Sequence, residues 1–580
     1  MSIQPTTDIG KDGGGKRLAL EEAVRRYVNP GMRLHFAGGI GGPSAAICEI
    51  IRQYQGTAPG FTIIQSTITG HGLNLVHCGL AARLVCAVCV DISASGRPSR
   101  TVQKAVREKR IILENWSLLS LQQRLMAGAL GVPFMTTKSV LGSTIASDND
   151  ASFREVEDPF GSGGKVGIVE ALVPDISIIH GCVGDEEGNI ILNAPYGEDL
   201  WGPYASAGGV LATVEKIVPA AYVKRYAALV KIPGYLVKAV SVAPLGLHPF
   251  SLPNPGIHDF EPYEKDVAFL NDLHEASKSR ETLDAWLSEW VMGSATHCHY
   301  LDRLGPERVA ALKDEAVPRT DELPPEARKA GRLPSYEPEE MMLVALAREI
   351  VRSVRTSGHR VILSGAGTRG VAAFAAYHQL KAQGYEVELI TGNGQMGFTP
   401  LPGMSIQSTE AGVRSCKMLT DTVMAQGVFV GGRHNRCLSV LGAGQIDRHG
   451  NINSTVTSKG QFLVGSGGAN DAMNASEVIV ALDHARDRLV EELPYVTGKG
   501  DAVATVVSTA GILRKPAGGE ELFLDACFPD EGSTGLEEKI KAARERCGWP
   551  LSTTESVEEV AAPDQGELDL LRWLLSSPIS

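Results

Sequence analysis

Several features that define whole classes of protein are missing from this chain. No uninterrupted apolar run among its 580 residues approaches the length that a membrane span requires. Residues 1–17 are polar and glycine-rich and contain no apolar core, so we expect a disordered tail rather than a signal peptide. The net charge of −12 gives no electrostatic support to a nucleic-acid or anionic-membrane partner. We therefore expect a cytoplasmic protein with neither kind of partner.

Cysteine and histidine patterns that would indicate a metal or redox centre are also scarce. The ten cysteines are scattered, and the pair Cys86 and Cys89 lies in an apolar run typical of a buried strand. His297 and His299 would point in divergent directions on a helix, and no further ligand cluster accompanies them. We expect no metal site.

The chain is rich instead in glycine and in alternating apolar and amphipathic segments. At 580 residues it is too long for one hydrophobic core. Strand-like runs alternate with helix-like segments such as 118–130 and 341–354, and many of the 64 glycines follow apparent strand ends. This alternation predicts the α/β class, with two tandem related domains, each an open, mostly parallel sheet with helices on both faces. Ligands of such sheets bind at the carboxyl ends of the strands.

A charged stretch punctuated by prolines divides the chain. It predicts a linker over residues 306–335, between one domain over 18–305 and a second over 336–580. The two sides share short patterns, which indicates a duplicated domain. The matched pairs are 31–39 with 358–366, 61–66 with 387–392, and 185–190 with 447–452.

Three glycine-rich motifs fall where strands are expected to end. They are TGNGQMGFTP at 391–400, GAGQ at 442–445 after an apolar run, and GSGGAN at 465–470. Small residues at such ends expose backbone N–H groups and allow a carbonyl or an extended cofactor to approach closely.

Together with Glu114-Asn115-Trp116 and residues 124–144, these motifs resemble the family I CoA-transferases, glutaconate CoA-transferase in particular. The likeness extends from about residue 18 to 575 and covers both subunits of such an enzyme, here fused in one polypeptide. It implies coenzyme A as part of an acyl-CoA substrate, and a homo-oligomer, a dimer of the fused chain. It also implies a set of residues that bind CoA and its thioester: Gly392, Gly394, Gly442, Ala443, Gly444, Gln445, Gly465, Gly467, Gly468 and Asn470.

The catalytic glutamate of that family has no counterpart in the 391–400 loop. In the family motif a glutamate attacks the thioester, and Gly392 stands at its position here. A glycine supplies no nucleophile. Asn393 is the adjacent catalytic candidate, although an amide is a poor nucleophile, and Glu410 is too far along the chain to be assigned to the same point.

The best carboxylate for catalysis is Glu114. It ends the apolar run 111–113, so a strand would deliver it to the carboxyl edge of a sheet, where burial would raise its pKa toward a useful range. The alternative is that Glu114 caps or positions the following helix. Ser139, Ser143 and Thr144 are candidates for binding a distal carboxylate of the acyl group, or for satisfying a helix end.

The leading hypothesis is an enzyme that hydrolyses a CoA thioester or a C–C bond of a β-dicarbonyl acyl-CoA, because the CoA motifs are intact beside Gly392. The alternatives are CoA transfer between carboxylic acids through another carboxylate or a ternary complex, decarboxylation of an acyl-CoA, and acyl-CoA binding without turnover. Decarboxylation has less support, since the decarboxylases that this chain resembles carry a cysteine at the glutamate position and residues 391–400 contain none.

Overall fold

The computed structural model describes residues 15–91, 97–161, 164–316, 335–365, 367–404, 409–516, 518–529 and 535–576. Each half of the chain builds one large sheet with its own buried core. Within the described ranges, no helix is long and apolar enough to cross a membrane.

The first half alternates strands and helices over most of its length. Its strands are β1 (Arg33–Ala37), β2 (Phe61–Ile64), β3 (Thr67–Ile68), β4 (Ala81–Cys86), β5 (Val88–Cys89), β6 (Ile112–Asn115), β7 (Phe134–Thr137), β8 (Phe153–Glu157), β9 (Lys165–Glu170), β10 (Ile176–Gly184), β11 (Ile190–Leu192), β12 (Val210–Ile217), β13 (Val230–Ile232) and β14 (Val237–Val242). Its helices are α1 (Leu20–Tyr27), α2 (Ser44–Tyr54), α3 (His71–His77), α4 (Arg100–Arg107), α5 (Leu118–Leu130), α6 (Thr144–Asp148), α7 (Trp201–Ala205), α8 (Ala220–Arg225), α9 (Val267–Ala276), α10 (Arg280–Leu287), α11 (His297–Leu304) and α12 (Pro306–Glu315).

The main sheet of the first half is mostly parallel, as predicted. Its order is β13-β11-β10-β1-β2-β4-β6, and β12 and β14 continue from β10. All pairings except those of β11 are parallel. The carboxyl ends of β1, β2, β4 and β6 therefore share one edge, and Glu114 lies at that edge as the sequence indicated.

The second half repeats this arrangement. Its strands are β15 (Val361–Ser364), β16 (Glu388–Ile390), β17 (Gln395–Met396), β18 (Met418–Leu419), β19 (Cys437–Gly442), β20 (Gln445–Ile446), β21 (Ile452–Asn453), β22 (Glu477–Leu482), β23 (Val503–Ser508), β24 (Gly511–Arg514), β25 (Phe523–Cys527) and β26 (Thr553–Glu559). Its helices are α13 (Pro338–Ser357), α14 (Thr368–Ala382), α15 (Glu410–Ser415), α16 (Ala469–Ala472), α17 (Leu536–Glu545) and α18 (Gln565–Leu575), with a π-helical segment at Val423–Val430.

The central strands of the two halves correspond. Strand β15 lies between β16 and β19, parallel to both, as β1 lies between β2 and β10. The sheet then continues through β22 and β23, which are also parallel. The segment that carries Gly392 thus follows the strand equivalent to β2, as the match of 61–66 with 387–392 predicted.

The repeated Asp-x-x-Gly-Asn pattern forms the same turn in both halves. In the first half Asp185 accepts the backbone N–H of Asn189 at 2.9 Å and its side-chain amide at 2.8 Å. In the second half Asp447 accepts the equivalent bonds from Asn451 at 2.9 and 2.8 Å. Identical side-chain bonding at matched positions supports the duplicated domain.

Helix α5 positions the segment after β6 through local signals. Ser117 accepts the backbone N–H of Ser120 at 3.0 Å, and the Ser120 hydroxyl oxygen accepts that of Ser117 at 3.0 Å, so both open N–H groups are satisfied. The helix ends at Gly131, whose φ of +69° suits glycine.

Two predicted boundaries need correction. Lys16 and Arg17 are not part of a disordered tail, because their backbone pairs with Val240 on β14, and residues 1–14 lie outside the described ranges. The linker does not begin at residue 306, because 306–315 form α12, whose Leu312 is buried in the first core. The rest of the predicted linker, 317–334, also lies outside the described ranges.

The loops at the sheet edges connect the two halves. Val88 forms an isolated antiparallel bridge with Gly465, and Gly197 forms a parallel one with Asp421. The carboxyl edge of the first sheet therefore contacts the glycine motifs of the second half.

Candidate active site

The loop that carries Gly392 is a tight turn between β16 and β17. The Thr391 carbonyl accepts the backbone N–H of Gly394 at 3.1 Å, and the Thr391 hydroxyl donates to Oδ1 of Asn393. The side chain of Asn393 therefore holds the turn. Gly394 must be glycine, because its φ is +102° and a β-carbon would lie 2.3 Å from the Thr420 carbonyl oxygen.

Gly392 is not required by its backbone conformation. Its φ lies outside the left-handed region. A β-carbon on Gly392 would meet Nε2 and Cδ of Gln426 at 2.6 and 3.7 Å, and Leu118 Cδ1 at 4.0 Å. The loop can therefore hold a side chain at residue 392, provided that the amide of Gln426 moves.

Gln426 connects two of the glycine motifs. It lies on the π-helical segment and is 3% exposed. Its Nε2 would also lie 2.8 Å from a β-carbon on Gly468. Its Oε1 is buried and has no hydrogen-bond partner within the described residues. A buried amide oxygen of this kind indicates that a water or ligand completes its bonding.

Of two adjacent acidic residues of the first half, Glu198 is linked to this loop through Thr422, and Asp199 binds the backbone of its own half. Oε1 of Glu198 lies 3.4 Å from the Thr422 hydroxyl oxygen, which is also 3.1 Å from the Gly392 carbonyl oxygen. Asp199 is buried and accepts the backbone N–H of Gly39 at 2.8 Å. Burial and the charge of Asp199 raise the pKa of Glu198 to about 7, and burial raises the pKa of Asp199 to about 6.

Glu198, Asp199, Thr422 and Gln426 were not among the residues predicted from the sequence. None of them lies in a recognisable motif, and Glu198 belongs to the loop between β11 and α7. Tertiary pairing of Tyr196 and Gly197 with the second half brings this loop to Gly392.

Glu114 is the penultimate residue of β6, but its environment is opposite to the expected one. Arg124 Nη1 lies 2.6 Å from Oε1, Arg83 Nη1 lies 3.1 Å from Oε2, and the indole N–H of Trp116 donates to Oε1 at 2.9 Å. Burial alone would raise the pKa of Glu114, but the two arginines and the indole outweigh it, so the pKa is lowered. The expected rise was wrong. This geometry fits the positioning alternative, with Glu114 as an ionised partner of two arginines.

The GAGQ motif forms a turn after β19 with accessible backbone. Gly442 is exposed, and Ala443 and Gly444 are half-buried. Arg369 lies beside the motif, since its Cδ would be 3.2 Å from a β-carbon on Gly442. Arg488 Nη1 donates to the Gly444 carbonyl at 3.0 Å. Two guanidinium groups that the sequence analysis did not identify thus flank this turn.

The side chain of Gln445 is hydrogen-bonded to other residues of the second half. Its Nε2 donates to the Asp487 carbonyl at 3.0 Å, and its Oε1 accepts from Asn453 Nδ2 at 2.9 Å. The exposed backbone of the turn, rather than this side chain, is the part that a ligand can approach.

The GSGGAN motif contacts the first half directly. The backbone N–H of Gly467 donates to the Ala87 carbonyl at 2.9 Å, and the Gly467 carbonyl accepts from Leu118 at 2.9 Å. Gly465 has a φ of +98°, and a β-carbon there would lie 2.5 Å from the Ala87 carbonyl oxygen. The glycines predicted to admit a cofactor thus also admit the backbone of the other half.

Asn470 and Asp471 continue this contact. Oδ1 of Asn470 accepts the Ser139 hydroxyl at 3.2 Å and the Val140 backbone N–H at 2.8 Å. The Ser139 hydroxyl also contacts Asp471, whose pKa burial raises to about 6. Asn470 and Ser139 are both buried, so they join the halves.

The other two predicted acyl-binding residues are also engaged within the protein. The Ser143 hydroxyl donates to the Val140 carbonyl at 2.6 Å, and Thr144 Oγ1 accepts the Val496 backbone N–H at 2.9 Å. Neither bond satisfies an N–H group at the start of α6, where Ser143 makes no capping hydrogen bond, so these contacts do not match the alternative role of satisfying a helix end.

The cysteine and histidine patterns lie apart from any ligand cluster. Cys86 and Cys89 are buried free thiols on strands β4 and β5, with their sulfurs 3.3 Å apart. The ring of His297 contacts the Pro244 carbonyl at 2.7 Å. Among the described residues, no group of His, Cys, Asp and Glu side chains is arranged to hold a metal ion.

Comparison with known proteins relates each half to a separate subunit. The Coenzyme A transferase family model matches residues 17–243. The A subunit of glutaconate CoA-transferase from Acidaminococcus fermentans is 26% identical over 314 residues, covering 51% of this chain and 94% of that subunit. The B subunit of 3-oxoadipate CoA-transferase from Pseudomonas knackmussii is 30% identical over 267 residues, covering 41% of this chain and 94% of that subunit. The A and B subunits match different halves of the chain.

The fold of the whole chain also has a solved counterpart. An acyl-CoA transferase of E. coli O157:H7, determined as a thioester complex with CoA, aligns over 98% of this chain and 99% of its own, with a TM-score of 0.66 and 17% identity. At that identity the likeness concerns the fold, including the order of both halves in one polypeptide.

Proposed function

Because the chain belongs to the coenzyme A transferase family, we propose that it is an enzyme that cleaves an acyl-CoA with water. The bond cleaved is the thioester or a C–C bond of a β-dicarbonyl acyl-CoA. One observation carries this proposal: in the motif resemblance, Gly392 occupies the position of the glutamate that takes up the acyl group. Without that carboxylate, the covalent relay of CoA transfer lacks its first step.

The accessible turn at 442–445 supports CoA as the recognised group. A CoA ester carries phosphates, so a chain with a net charge of −12 must supply cations locally. Arg369 and Arg488 flank the turn. Arg369 Nη2 pairs with Asp483 at 3.3 Å, whereas its buried Nε has no hydrogen-bond partner within the described residues, so part of its bonding capacity is unused.

The names of the relatives support the acyl class. One is a 3-oxoadipate CoA-transferase, and its substrate name describes an acid with a carbonyl at the 3-position. An acyl-CoA with such a carbonyl is the β-dicarbonyl type that water can split between two carbonyl groups.

CoA transfer is the second candidate, and Glu198 favours it. A carboxylate that reaches the Gly392 loop from the first half can act as a nucleophile instead of a base. Decarboxylation and binding without turnover remain as alternatives, and each gives a different result in the assay below.

The test is to incubate the full chain with a panel of acyl-CoA esters in H₂¹⁸O, with and without acetate, and to analyse products by mass spectrometry. Thioester hydrolysis gives free CoA and an ¹⁸O-labelled acid, whereas C–C hydrolysis gives a labelled CoA ester or acid. Formation of acetyl-CoA only when acetate is present, with no label in any product, would favour transfer. Loss of CO₂ would favour decarboxylation, and no product on the whole panel would leave only binding.

A further inference from the structure

Backbone pairing between the halves holds Glu198 at the Gly392 loop. The N–H of Gly197 donates to the Asn393 carbonyl at 3.1 Å, and the N–H of Thr422 donates to the Gly197 carbonyl at 2.9 Å. The residue before Glu198 is thus bonded on both sides to the second half. Its side chain therefore enters from a fixed position rather than from a loose loop.

Few hydrogen-bond donors contact the Glu198 carboxylate. It accepts from its own backbone N–H, and it contacts the Thr422 hydroxyl, which has one proton and also lies 3.1 Å from the Gly392 carbonyl. Among the described residues no ion pair engages Glu198, in contrast to Glu114 with its two arginines. A carboxylate without a cation keeps its basicity.

The Glu198 carboxyl group is buried, although the residue as a whole is only half-buried. The amide of Gln426 also lies beside Gly392, and its buried Oε1 lacks a partner within the described residues. A water or ligand can complete the bonding of such a group.

We propose that Glu198 is the catalytic carboxylate of this site and acts as general base on the attacking water. The inference rests on the proposed hydrolytic function. As the water oxygen bonds to the substrate carbonyl carbon, one water proton passes to the Glu198 carboxylate. The C–S bond, or the C–C bond of a β-dicarbonyl, then breaks, and the leaving sulfur or enolate carbon takes that proton. One water is consumed, and no other reactant is needed.

The electrostatics of the site support this role. Burial and Asp199 raise the pKa of Glu198 to about 7, where a carboxyl group can both accept and return a proton near neutral pH. The groups that face Glu198 are Asp199 on its own segment and the neutral Thr422 hydroxyl from the second half.

The test compares Glu198→Gln with a matched variant, Glu410→Gln. Glu410 is also a carboxyl group near the contact of the halves with a pKa raised to about 7, but it is bonded to the Asn254 backbone N–H at 2.6 Å. We expect Glu198→Gln to lower kcat on the hydrolysed acyl-CoA at least about a hundredfold. It should leave the affinity for a non-hydrolysable CoA thioether within about twofold, and Glu410→Gln should keep wild-type turnover.

Glu198→Asp covers the case in which the glutamine variant does not fold. It should retain weak turnover with a shifted pH profile, because the shorter carboxylate still takes a proton. Undiminished turnover in a folded Glu198→Gln variant of a hydrolytic enzyme would overturn the assignment while leaving hydrolysis intact. Trapping of a Glu198 acyl adduct by hydroxylamine would overturn the base role in favour of a nucleophile. If the wild-type enzyme transfers CoA and incorporates no ¹⁸O, the proposed function itself fails, whatever the variants do.

Discussion

The side-chain amide of Gln426 occupies the space that a side chain on Gly392 would need. Its Nε2 lies 2.6 Å from the position of a β-carbon on that glycine. The two residues form a matched pair, a residue without a side chain opposite a long amide. The effect of a substitution at either residue should therefore depend on the side chain present at the other.

The substitution Gly392→Glu should give a folded enzyme that is impaired in its native reaction. The φ of Gly392 suits any residue, so the cost is the displacement of Gln426. The new carboxylate should lower hydrolysis and produce weak CoA transfer or a covalent adduct. Product analysis by mass spectrometry and thermal unfolding measure both effects. Unchanged hydrolysis in a folded variant would mean that the active site lies elsewhere.

The substitution Gly394→Ala should destabilise the protein more than a substitution at Gly392 does. The φ of +102° at Gly394 disfavours a side chain, and the β-carbon would lie 2.3 Å from a backbone oxygen. We expect a loss of about 1–3 kcal/mol in the free energy of unfolding. Denaturant titration measures it. Equal stability losses in the two variants would contradict the distinction between the two glycines.

The substitution Glu114→Gln should destabilise the protein by about 2 kcal/mol at neutral pH, because it removes the charge that Arg83 and Arg124 contact. The folded pKa of Glu114 lies below its usual value, so the stabilisation is present above about pH 4.5 and is lost as the pH falls through the folded pKa. The stability difference between wild type and variant should therefore narrow in acid. A constant difference from pH 3 to 7 would contradict this origin.

The substitution Glu198→Gln should change stability with pH in the opposite sense. The folded pKa of Glu198 is raised to about 7, so the native state favours the protonated carboxyl, and wild-type stability falls as the pH rises through that value. The glutamine variant has no such ionisation, so it should gain stability relative to wild type between about pH 5 and 8. Thermal unfolding across that range measures the gain, and parallel curves would be inconsistent with a raised pKa.

The substitution Arg369→Met should raise the KM for an acyl-CoA about tenfold with little change in kcat, because a lost phosphate contact weakens ground and transition states equally. The exposed Arg360→Met removes the same charge away from the turn and serves as the control. A tenfold rise in both variants would indicate a general charge effect rather than a binding site at residues 442–445.

The fold and the strand-end positions could be predicted from sequence because they depend on local patterns. Apolar runs followed by glycine gave the parallel strands, and they located Glu114 at the end of β6. The charge state of Glu114 could not be predicted, since Arg83 approaches from β4 and Arg124 from α5. A pKa depends on such neighbours, which a single segment does not reveal.

The candidate site was only partly predictable for a related reason. Gly392 and the GAGQ turn carry motifs, but Glu198 and Gln426 become neighbours of Gly392 only when the halves meet. The glycines at 465–468 show the converse case. A motif of small residues predicts that another group packs closely against it, but it does not identify that group. Here the group is the backbone of the first half at Ala87 and Leu118.

The pairing of Gly197 with the 393–422 region bears on how the two halves of the enzyme assemble. Where such halves are separate polypeptides, this contact forms by a bimolecular encounter, and the amount formed depends on expression balance and dilution. In a single polypeptide the same encounter is intramolecular, so its probability is set by the tether between the halves rather than by protein concentration. The stoichiometry is then fixed at one to one, and forming the contact becomes a step of folding.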